Sequence, residues 1–117
     1  MSTITVYALK TCDTCRKALK AIEASGTAFD VVDVRADGIP ADAMQRITQA
    51  VGPDGLVNRR STTWRGLEDG VRADAMDPAK TASVLSEHPT LMKRPVIVSG
   101  DAVHVGWTAD VQKAVLG

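Results

Sequence analysis

The chain has few aromatic side chains, few cysteines and no excess of charge. Its 117 residues include two tryptophans, one tyrosine, one phenylalanine and two cysteines, and the formal net charge is zero. A balanced charge provides no basic field, so we expect no direct binding of nucleic acid. No apolar run approaches the roughly 20 residues that span a bilayer, so we expect no membrane segment. With so few aromatic residues, the core must consist of aliphatic side chains.

The start of the chain lacks a charged segment followed by a long apolar run, so we expect no signal peptide and a cytoplasmic location. In a reducing compartment, two cysteines are catalytic, sensing or metal-binding rather than structural. A zinc site would need two further ligands, and His88 and His104 lack the spacing of a structural zinc module. We therefore expect no metal, and the length predicts a single domain over residues 1–117.

The two cysteines, Cys12 and Cys15, lie between a strand-like run and a helix-like run. The first turn of a helix has unpaired amide donors and the positive end of the helix dipole, which favour thiolate over thiol. Cys12, in the turn, is predicted to be the exposed nucleophile. Cys15 is predicted to be a shielded redox partner, with a plain core residue as the alternative. A strand, a Cys-x-x-Cys turn and a helix are typical of a thioredoxin-like redox site.

Apolar spacing predicts a β-α-β segment, a helical middle and a final β-β-α segment. Strands are predicted at residues 4–8, 29–34, 96–98 and 102–105, helices at 15–24, 43–51, 62–67 and 77–87, a loop at 52–61, and a last helix capped by Thr108. The first segment implies a parallel strand pair, and the last two strands imply an antiparallel hairpin. We therefore predict an α/β fold with a four-stranded mixed sheet and a helical insertion at about residues 40–90.

Two further segments carry candidate binding residues. Arg60 follows another arginine and precedes Ser-Thr-Thr-Trp, a combination of guanidinium groups, hydroxyls and a helix start that suits an anion. The alternative for this segment is a solvated basic loop. Pro95 enters a predicted strand directly after Arg94, and a cis peptide bond there would let Arg94 reach the cavity at Cys12.

Three separated blocks, residues 6–14, 58–65 and 91–96, resemble the bacterial ArsC/Spx family and, within it, the YffB-like branch. The match covers essentially the whole chain in order. The resemblance implies a thioredoxin-like fold with an inserted helical subdomain and a nucleophilic first cysteine. It implies that the catalytic and substrate-binding positions are Cys12, Thr11, Asp13, Thr14, Arg60, Arg94 and Pro95, with Cys15 as redox partner.

One position departs from the pattern of the glutaredoxin-dependent arsenate reductases, which carry a further arginine just after the last strand. This chain has Gly106 and Trp107 there. An arsenate held by two arginines instead of three loses a contact of roughly 1.5–3 kcal/mol. We therefore rank a glutathione-dependent thiol reductase first, a glutathione- or glutaredoxin-coupled arsenate reductase second, and an Spx-like redox-sensing regulator that binds RNA polymerase third.

These hypotheses differ in their expected partners. For the reductase we expect no tightly bound cofactor, glutathione as co-substrate, glutathione or glutaredoxin as electron donor, a small anionic or disulfide substrate, and a monomer. The regulator would use Cys12 and Cys15 as a switch. Two features argue against the regulator: the chain ends directly after the last predicted helix, and residues 58–65 match the YffB-like branch better.

Overall fold

The computed structural model describes residues 4–9, 11–100 and 102–116. The strands are β1 (Ile4–Ala8), β2 (Phe29–Asp33), β3 (Val96–Ser99) and β4 (Ala102–Val105). The helices are α1 (Asp13–Ala24), α2 (Ala41–Val51), α3 (Pro53–Leu56), α4 (Thr62–Gly66), α5 (Asp69–Ala75), α6 (Thr81–Glu87) and α7 (Ala109–Leu116), and a 3-10 turn covers Pro89–Leu91. The chain divides into two compact units: residues 1–37 with 94–117, here called the sheet unit, and residues 38–93, the helical unit.

The sheet unit contains one four-stranded sheet with the strand order β2-β1-β3-β4. Strand β2 is parallel to β1, whereas β3 is antiparallel to both β1 and β4. The predicted mixed sheet is therefore confirmed. Tyr7 lies opposite Val96 in the β1–β3 pair. Because the two strands run in opposite directions, the residues that precede Val96 continue past the end of β1.

Alternate side chains of β1 build the core of the sheet unit, since residues two apart share a face of the sheet. The core cluster consists of Ile4, Val6, Ala8, Cys15, Ile22 and Ile97. Ile22 is completely buried, and burial of a side chain of this size stabilises the fold by about 1.5–3 kcal/mol. These contacts fix α1 on the sheet and leave its first turn at the end of β1.

The last helix, α7, is capped as predicted, since the Thr108 hydroxyl accepts the N–H of Val111 at 3.3 Å. Val111 and Val115, four residues apart on α7, pack against the sheet core together with Trp107. Both helices of the sheet unit are thus held by aliphatic contacts.

The helical unit has an aliphatic core of its own. Its fully buried large side chains are Met44, Ile47, Leu56, Val57, Leu85, Leu91 and Met92. Val57 and Met92 form an antiparallel bridge. Beside it, the N–H of Asn58 donates to the Leu91 carbonyl at 2.8 Å, and the N–H of Lys93 donates to the Leu56 carbonyl at 2.8 Å. These backbone hydrogen bonds join the segment that follows α3 to the C-terminal end of the unit.

Two element predictions in the helical unit are wrong in part. The helix predicted over residues 77–87 begins later, at Thr81, because Asp77 forms a turn instead. Its carboxylate accepts the N–H of Ala79 at 3.0 Å, and its carbonyl accepts the N–H of Lys80 at 2.8 Å. The buried Thr81 hydroxyl donates to the Ala75 carbonyl at 2.7 Å, which holds α5 to the start of α6.

The loop predicted over residues 52–61 contains the helix α3. Gly52, with φ 82°, ends α2, and Pro53 at once begins α3. Leu56 is fully buried, so packing stabilises a single turn that the local pattern does not show. Within the described residues, no helix combines the length and the apolar character needed to cross a membrane.

Candidate active site

Cys12 occupies the N-cap position of α1. Strand β1 ends at Ala8, and the N–H of Cys12 donates to the Leu9 carbonyl at 3.2 Å, which closes a tight turn. The N–H of Arg16 donates to the Cys12 carbonyl at 3.0 Å, so the chain is helical from this point on. The Cys12 side chain therefore lies at the positive end of the α1 dipole, which favours the thiolate.

The two cysteines differ in exposure as predicted. Cys12 is half-buried, whereas Cys15 is completely buried in the sheet core. Both thiols are free. An attacking thiol must be accessible to its substrate, so only Cys12 is placed to react with a molecule from solution.

Arg94 is the cation that the fold brings to Cys12. It precedes β3, and the antiparallel register of β1 and β3 carries residues 94 and 95 past the end of β1. The Arg94–Pro95 peptide bond is cis, as the family resemblance implied. Pro95 is buried, and its carbonyl accepts the N–H of Gly106 at 2.8 Å. The Nε atom of Arg94 is also buried.

The pKa of Cys12 lies below its ordinary value of 9.0. Burial is the largest single effect and acts to raise this pKa. It is outweighed by hydrogen bonds from the Cys15 backbone N–H and thiol, followed by the charge and a hydrogen bond of Arg94. These interactions do not include an ordinary side-chain cap, since Cys12 makes no side-chain capping hydrogen bond to α1.

The neighbouring thiol shifts in the opposite direction. Burial, followed by the hydrogen bond and negative charge of Cys12, raises the pKa of Cys15 to about 11, against smaller lowering effects of the Leu9 backbone and Arg94. Cys15 therefore stays protonated at neutral pH, and its thiol donates a hydrogen bond to the Cys12 sulfur. One thiol of the pair is activated and the other supports it.

The other predicted residues of the Cys12 turn, Thr11, Asp13 and Thr14, are all exposed. Asp13 pairs with Arg16 one turn along α1. Among the described residues, no group of three His, Cys, Asp or Glu side chains is arranged to hold a metal ion. The binding roles of these three turn residues stay predictions.

Arg60 lies in the helical unit, in the turn before α4. Its N–H donates to the Asn58 side chain at 3.1 Å, and its own side chain is exposed. The next residue, Ser61, caps α4: its hydroxyl accepts the N–H of Trp64 at 3.1 Å. The predicted helix start is thus present behind Arg60, and the catalytic and binding role of Arg60 stays a prediction.

Sequence reasoning missed Arg72, which fixes the far end of α4. Its guanidinium donates to the carbonyls of Trp64 at 3.0 Å and Arg65 at 2.8 Å, and lies 5.9 Å from the centre of the Trp64 ring. The contact joins α5 to the end of a separate short helix. Neither periodicity nor a motif marks such a pair, so the sequence offered no signal for it.

A strand, a Cys-x-x-Cys helix start and a cis proline beside it define a thioredoxin-like domain with a thiol site. The model of the ArsC family matches residues 7–115, and the chain belongs to this family. A YffB protein of known structure superposes with a TM-score of 0.89 at 33% identity, over 98% of this chain and 100% of that chain. An ArsC-related protein from Brucella melitensis gives a TM-score of 0.72 at 30% identity, over 96% of this chain and 92% of that chain.

Further relatives come from sequence and from structure. An uncharacterised protein from Haemophilus influenzae is 40% identical over 89% of this chain and 90% of its own length. The global transcriptional regulator Spx 2 from Lactococcus lactis is 27% identical over 97% of this chain and 86% of its own length. An arsenate reductase from Vibrio cholerae shares the fold, with a TM-score of 0.72 over 98% of this chain and 96% of that chain, at only 18% identity. The comparisons thus give one sequence relative that is named a transcriptional regulator and one arsenate reductase that shares the fold.

Proposed function

We propose that the protein is a glutathione-dependent thiol reductase in which Cys12 is the nucleophile. The observation that carries the proposal is the arrangement of the two thiols: Cys12 is half-buried at the N-cap of α1 and has a lowered pKa, whereas Cys15 is completely buried and has a raised pKa. A site with one activated thiol and one protonated thiol suits attack by a single sulfur on a disulfide.

The first step is attack on a mixed disulfide between glutathione and a substrate thiol. The Cys12 thiolate forms a bond to the glutathione sulfur, while the disulfide bond between the glutathione sulfur and the substrate sulfur breaks. The substrate leaves as a thiolate and takes up a proton from water. Negative charge develops on the leaving sulfur, and the Arg94 guanidinium beside Cys12 stabilises it.

The second step restores the enzyme. The thiolate of a second glutathione attacks the glutathione sulfur bound to Cys12, which releases oxidised glutathione and the Cys12 thiolate. In sum, one mixed disulfide and one reduced glutathione give one free substrate thiol and one oxidised glutathione. A glutaredoxin thiol would serve as the alternative electron donor, and no tightly bound cofactor is needed.

Cys15 is the candidate for an internal resolving thiol, but its raised pKa leaves little of it as thiolate. With a pKa of about 11, roughly one Cys15 in ten thousand is a thiolate at pH 7. Once Cys12 carries glutathione, its negative charge is gone, and two of the effects that raise the pKa of Cys15 disappear. Burial remains, so glutathione rather than Cys15 completes the main route.

Arg94 and Arg60 are proposed to bind the anionic groups of the substrate. Support for Arg94 comes from its charge at Cys12, whereas support for Arg60 comes from its motif and its exposed position before the capped α4. The exposed turn residues Thr11, Asp13 and Thr14, together with Pro95, are proposed to contact the same substrate.

The test is turnover of a peptide–glutathione mixed disulfide, coupled to the reduction of oxidised glutathione. The wild type should turn over, and Cys12→Ser should lose about a thousandfold or more in kcat/KM. Arg60→Gln should raise KM for the mixed disulfide, whereas Arg46→Gln, an exposed arginine on α2, should leave it unchanged. Full activity of Cys12→Ser, or no glutathione-dependent turnover by the wild type, would contradict the proposal.

Arsenate is a less suitable substrate for this site. After β4 the chain has Gly106, whose φ is 83° and whose N–H is committed to the Pro95 carbonyl. Trp107 packs against the sheet core instead of presenting a cation. The position at which arsenate reductases of this family carry a third arginine thus offers no charge here, which favours a carboxylate or disulfide substrate.

A redox-sensing regulator is the second candidate, favoured by the Spx relatives that align with nearly the whole chain. Oxidation would join Cys12 and Cys15, with loss of two electrons and two protons to a disulfide such as oxidised glutathione. A pull-down with the C-terminal domain of the RNA polymerase α subunit tests this candidate. Absence of a complex with both the reduced and the oxidised protein removes it.

A further inference from the structure

Strand β2 lies at one edge of the sheet, because the strand order is β2-β1-β3-β4. Directly after β2, the N–H of Val34 donates to the Ala8 carbonyl of β1 at 3.0 Å. In a strand with a parallel neighbour, every second residue directs its N–H and C=O groups to that neighbour, and the residues between direct theirs away. Phe29, Val31 and Asp33 therefore turn their backbone groups toward the free edge.

This free edge is closed at Asp33 and open at Phe29 and Val31. The N–H of Asp33 donates to the Asp37 carboxylate at 3.1 Å, and the Asp33 carbonyl accepts the N–H of Asp37 at 2.9 Å. Among the described residues, no hydrogen-bond partner occupies the outward groups of Phe29 and Val31. The open stretch thus presents two donors and two acceptors to an added strand.

The open stretch also carries an exposed apolar side chain. Val31 is 49% exposed, the largest exposed fraction of any large apolar side chain among the described residues. It is paired with Val6 of the sheet core, so it lies on the face of the sheet that α1 covers. Beside it is a hollow of about 40 Å³, lined by Ala8, Leu9, Leu19, Val31 and Asp33. Adjacent strands are about 4.8 Å apart, so an apolar side chain opposite Val31 on an added strand would lie at this hollow.

Asp30 lies between the two open positions and sets the charge of the edge. Its side chain is exposed, and none of the ion pairs among the described residues includes it. It lies on the opposite face of the sheet from Val31, because side chains alternate along a strand. An antiparallel strand that bonds to both Phe29 and Val31 places one residue directly opposite Asp30, with a Cα–Cα distance of about 4.5 Å. A lysine or arginine suits this position.

A second copy of the chain is poorly suited to this edge. The register that uses both open residues of each copy pairs Phe29 of one copy with Val31 of the other. This register places the two Asp30 side chains directly opposite each other, and like charges in that position are destabilising. The edge therefore opposes self-association and favours a strand from a different protein with a cation at its centre.

From these observations we propose that the free edge of β2 binds an extended segment of another protein as an added antiparallel strand with an apolar–basic–apolar sequence. The two apolar side chains lie beside Val31 and Phe29, and the basic side chain lies opposite Asp30. The main-chain hydrogen bonds provide affinity, and the alternating side chains provide specificity. The proposal is independent of the reductase function, because no reacting group belongs to this edge.

A titration followed by NMR tests the proposal with the blocked pentapeptide Thr-Val-Lys-Val-Thr. The amide signals of Phe29 and Val31 should shift, and their N–H groups should become protected from hydrogen exchange. The peptide Thr-Val-Glu-Val-Thr should bind about fivefold more weakly, because it places a like charge opposite Asp30. Methylation of the first valine nitrogen keeps the side chains but removes a hydrogen bond to the Val31 carbonyl. It should also weaken binding about fivefold.

The charge preference should reverse in the variant Asp30→Lys, which should bind the glutamate peptide about fivefold more tightly than the lysine peptide. The control is Glu87→Lys, an equal change of charge at an exposed position at the end of α6, which should keep the wild-type preference.

Equal binding of the three peptides by the wild type, no binding, or shifts confined to residues outside β2 would overturn the proposal. A shift of Phe29 and Val31 with protein concentration, in the absence of peptide, would make a second copy the occupant and would overturn it as well.

Discussion

Cys12 and Cys15 lie one helical turn apart at the start of α1, and their pKa values are moved in opposite directions. The Cys15 thiol donates to the Cys12 sulfur and keeps its own proton because it is buried. The same hydrogen bond therefore lowers one pKa and raises the other. A Cys-x-x-Cys motif that looks symmetric in sequence becomes a pair with one reactive member.

The contribution of Arg94 to the reactivity of Cys12 can be measured by alkylation. Arg94→Gln removes a charge and a hydrogen bond that stabilise the thiolate, so the pKa of Cys12 should rise. Alkylation of Cys12 by iodoacetamide at pH 7 should slow by about threefold or more. The pH dependence of the rate gives the pKa directly.

The matched control for this measurement is Arg16→Gln. Arg16 is close to Cys12 in sequence and equally cationic, but it pairs with Asp13 on the surface of α1. Its loss should leave the alkylation profile nearly unchanged. Equal effects of the two substitutions would mean that a general positive field, and not Arg94, activates the thiol.

Removal of the second thiol should weaken activation without abolishing turnover. Cys15→Ala deletes a hydrogen bond to the Cys12 sulfur, so the pKa of Cys12 should rise. Glutathione-coupled kcat should fall by less than about tenfold, because glutathione completes the cycle from outside. A loss as large as that of Cys12→Ser would show that Cys15 is an obligatory resolving thiol.

The buried Cys15 also predicts how stability depends on pH. Its folded pKa of about 11 exceeds the ordinary 9.0, so the unfolded chain loses this proton first as the pH rises. The raised pKa of Cys15 contributes up to about 3 kcal/mol to the free energy of unfolding. This contribution is complete below about pH 9 and is lost as the pH approaches 11. Cys12, whose folded pKa is lowered, changes stability only below pH 9, where its contribution is lost as the pH falls.

Urea unfolding at several pH values between about 8 and 11 isolates this contribution as the difference between wild type and Cys15→Ala. The difference in the free energy of unfolding should shrink as the pH rises above 9. A difference that is independent of pH would contradict a raised pKa of Cys15.

In the helical unit, Arg72 should stabilise the segment that carries Arg60. A lysine at position 72 lacks the forked guanidinium that binds both carbonyls at the end of α4. Arg72→Lys should therefore lower the free energy of unfolding by about 1–2 kcal/mol. Trp64 fluorescence should change, because its ring loses the guanidinium. The control is Arg46→Lys, at an exposed site on α2, which should change neither the free energy of unfolding nor the Trp64 fluorescence. An equal loss of unfolding free energy in Arg46→Lys would refute a specific role of Arg72.

The sequence predicted the sheet because its strands have short apolar runs and its connections allow few topologies. Helix α1 was predictable for the same reason, since Cys15, Ala18 and Ile22 follow helical spacing and are buried. The start of α6 was not predictable. Asp77 before a proline is typical of a helix cap, yet a turn forms there because Thr81 bonds to the Ala75 carbonyl.

Within the candidate site, the turn that carries Cys12 was predictable, because it lies between a strand-like run and a helix-like run of the sequence. The proximity of Arg94 was predicted only on the condition of a cis bond before Pro95, because it depends on the register in which Tyr7 faces Val96. The role of Arg60 stays a prediction from its motif.

The most direct test of the central claim is to trap the enzyme during turnover and map the adduct. Wild-type protein is mixed with a peptide–glutathione disulfide, quenched in acid, digested and examined by mass spectrometry. We predict one glutathione on Cys12, formed and removed by excess glutathione as fast as the enzyme turns over. Glutathione on Cys15, or an adduct on Cys12 that forms more slowly than turnover, would contradict the account.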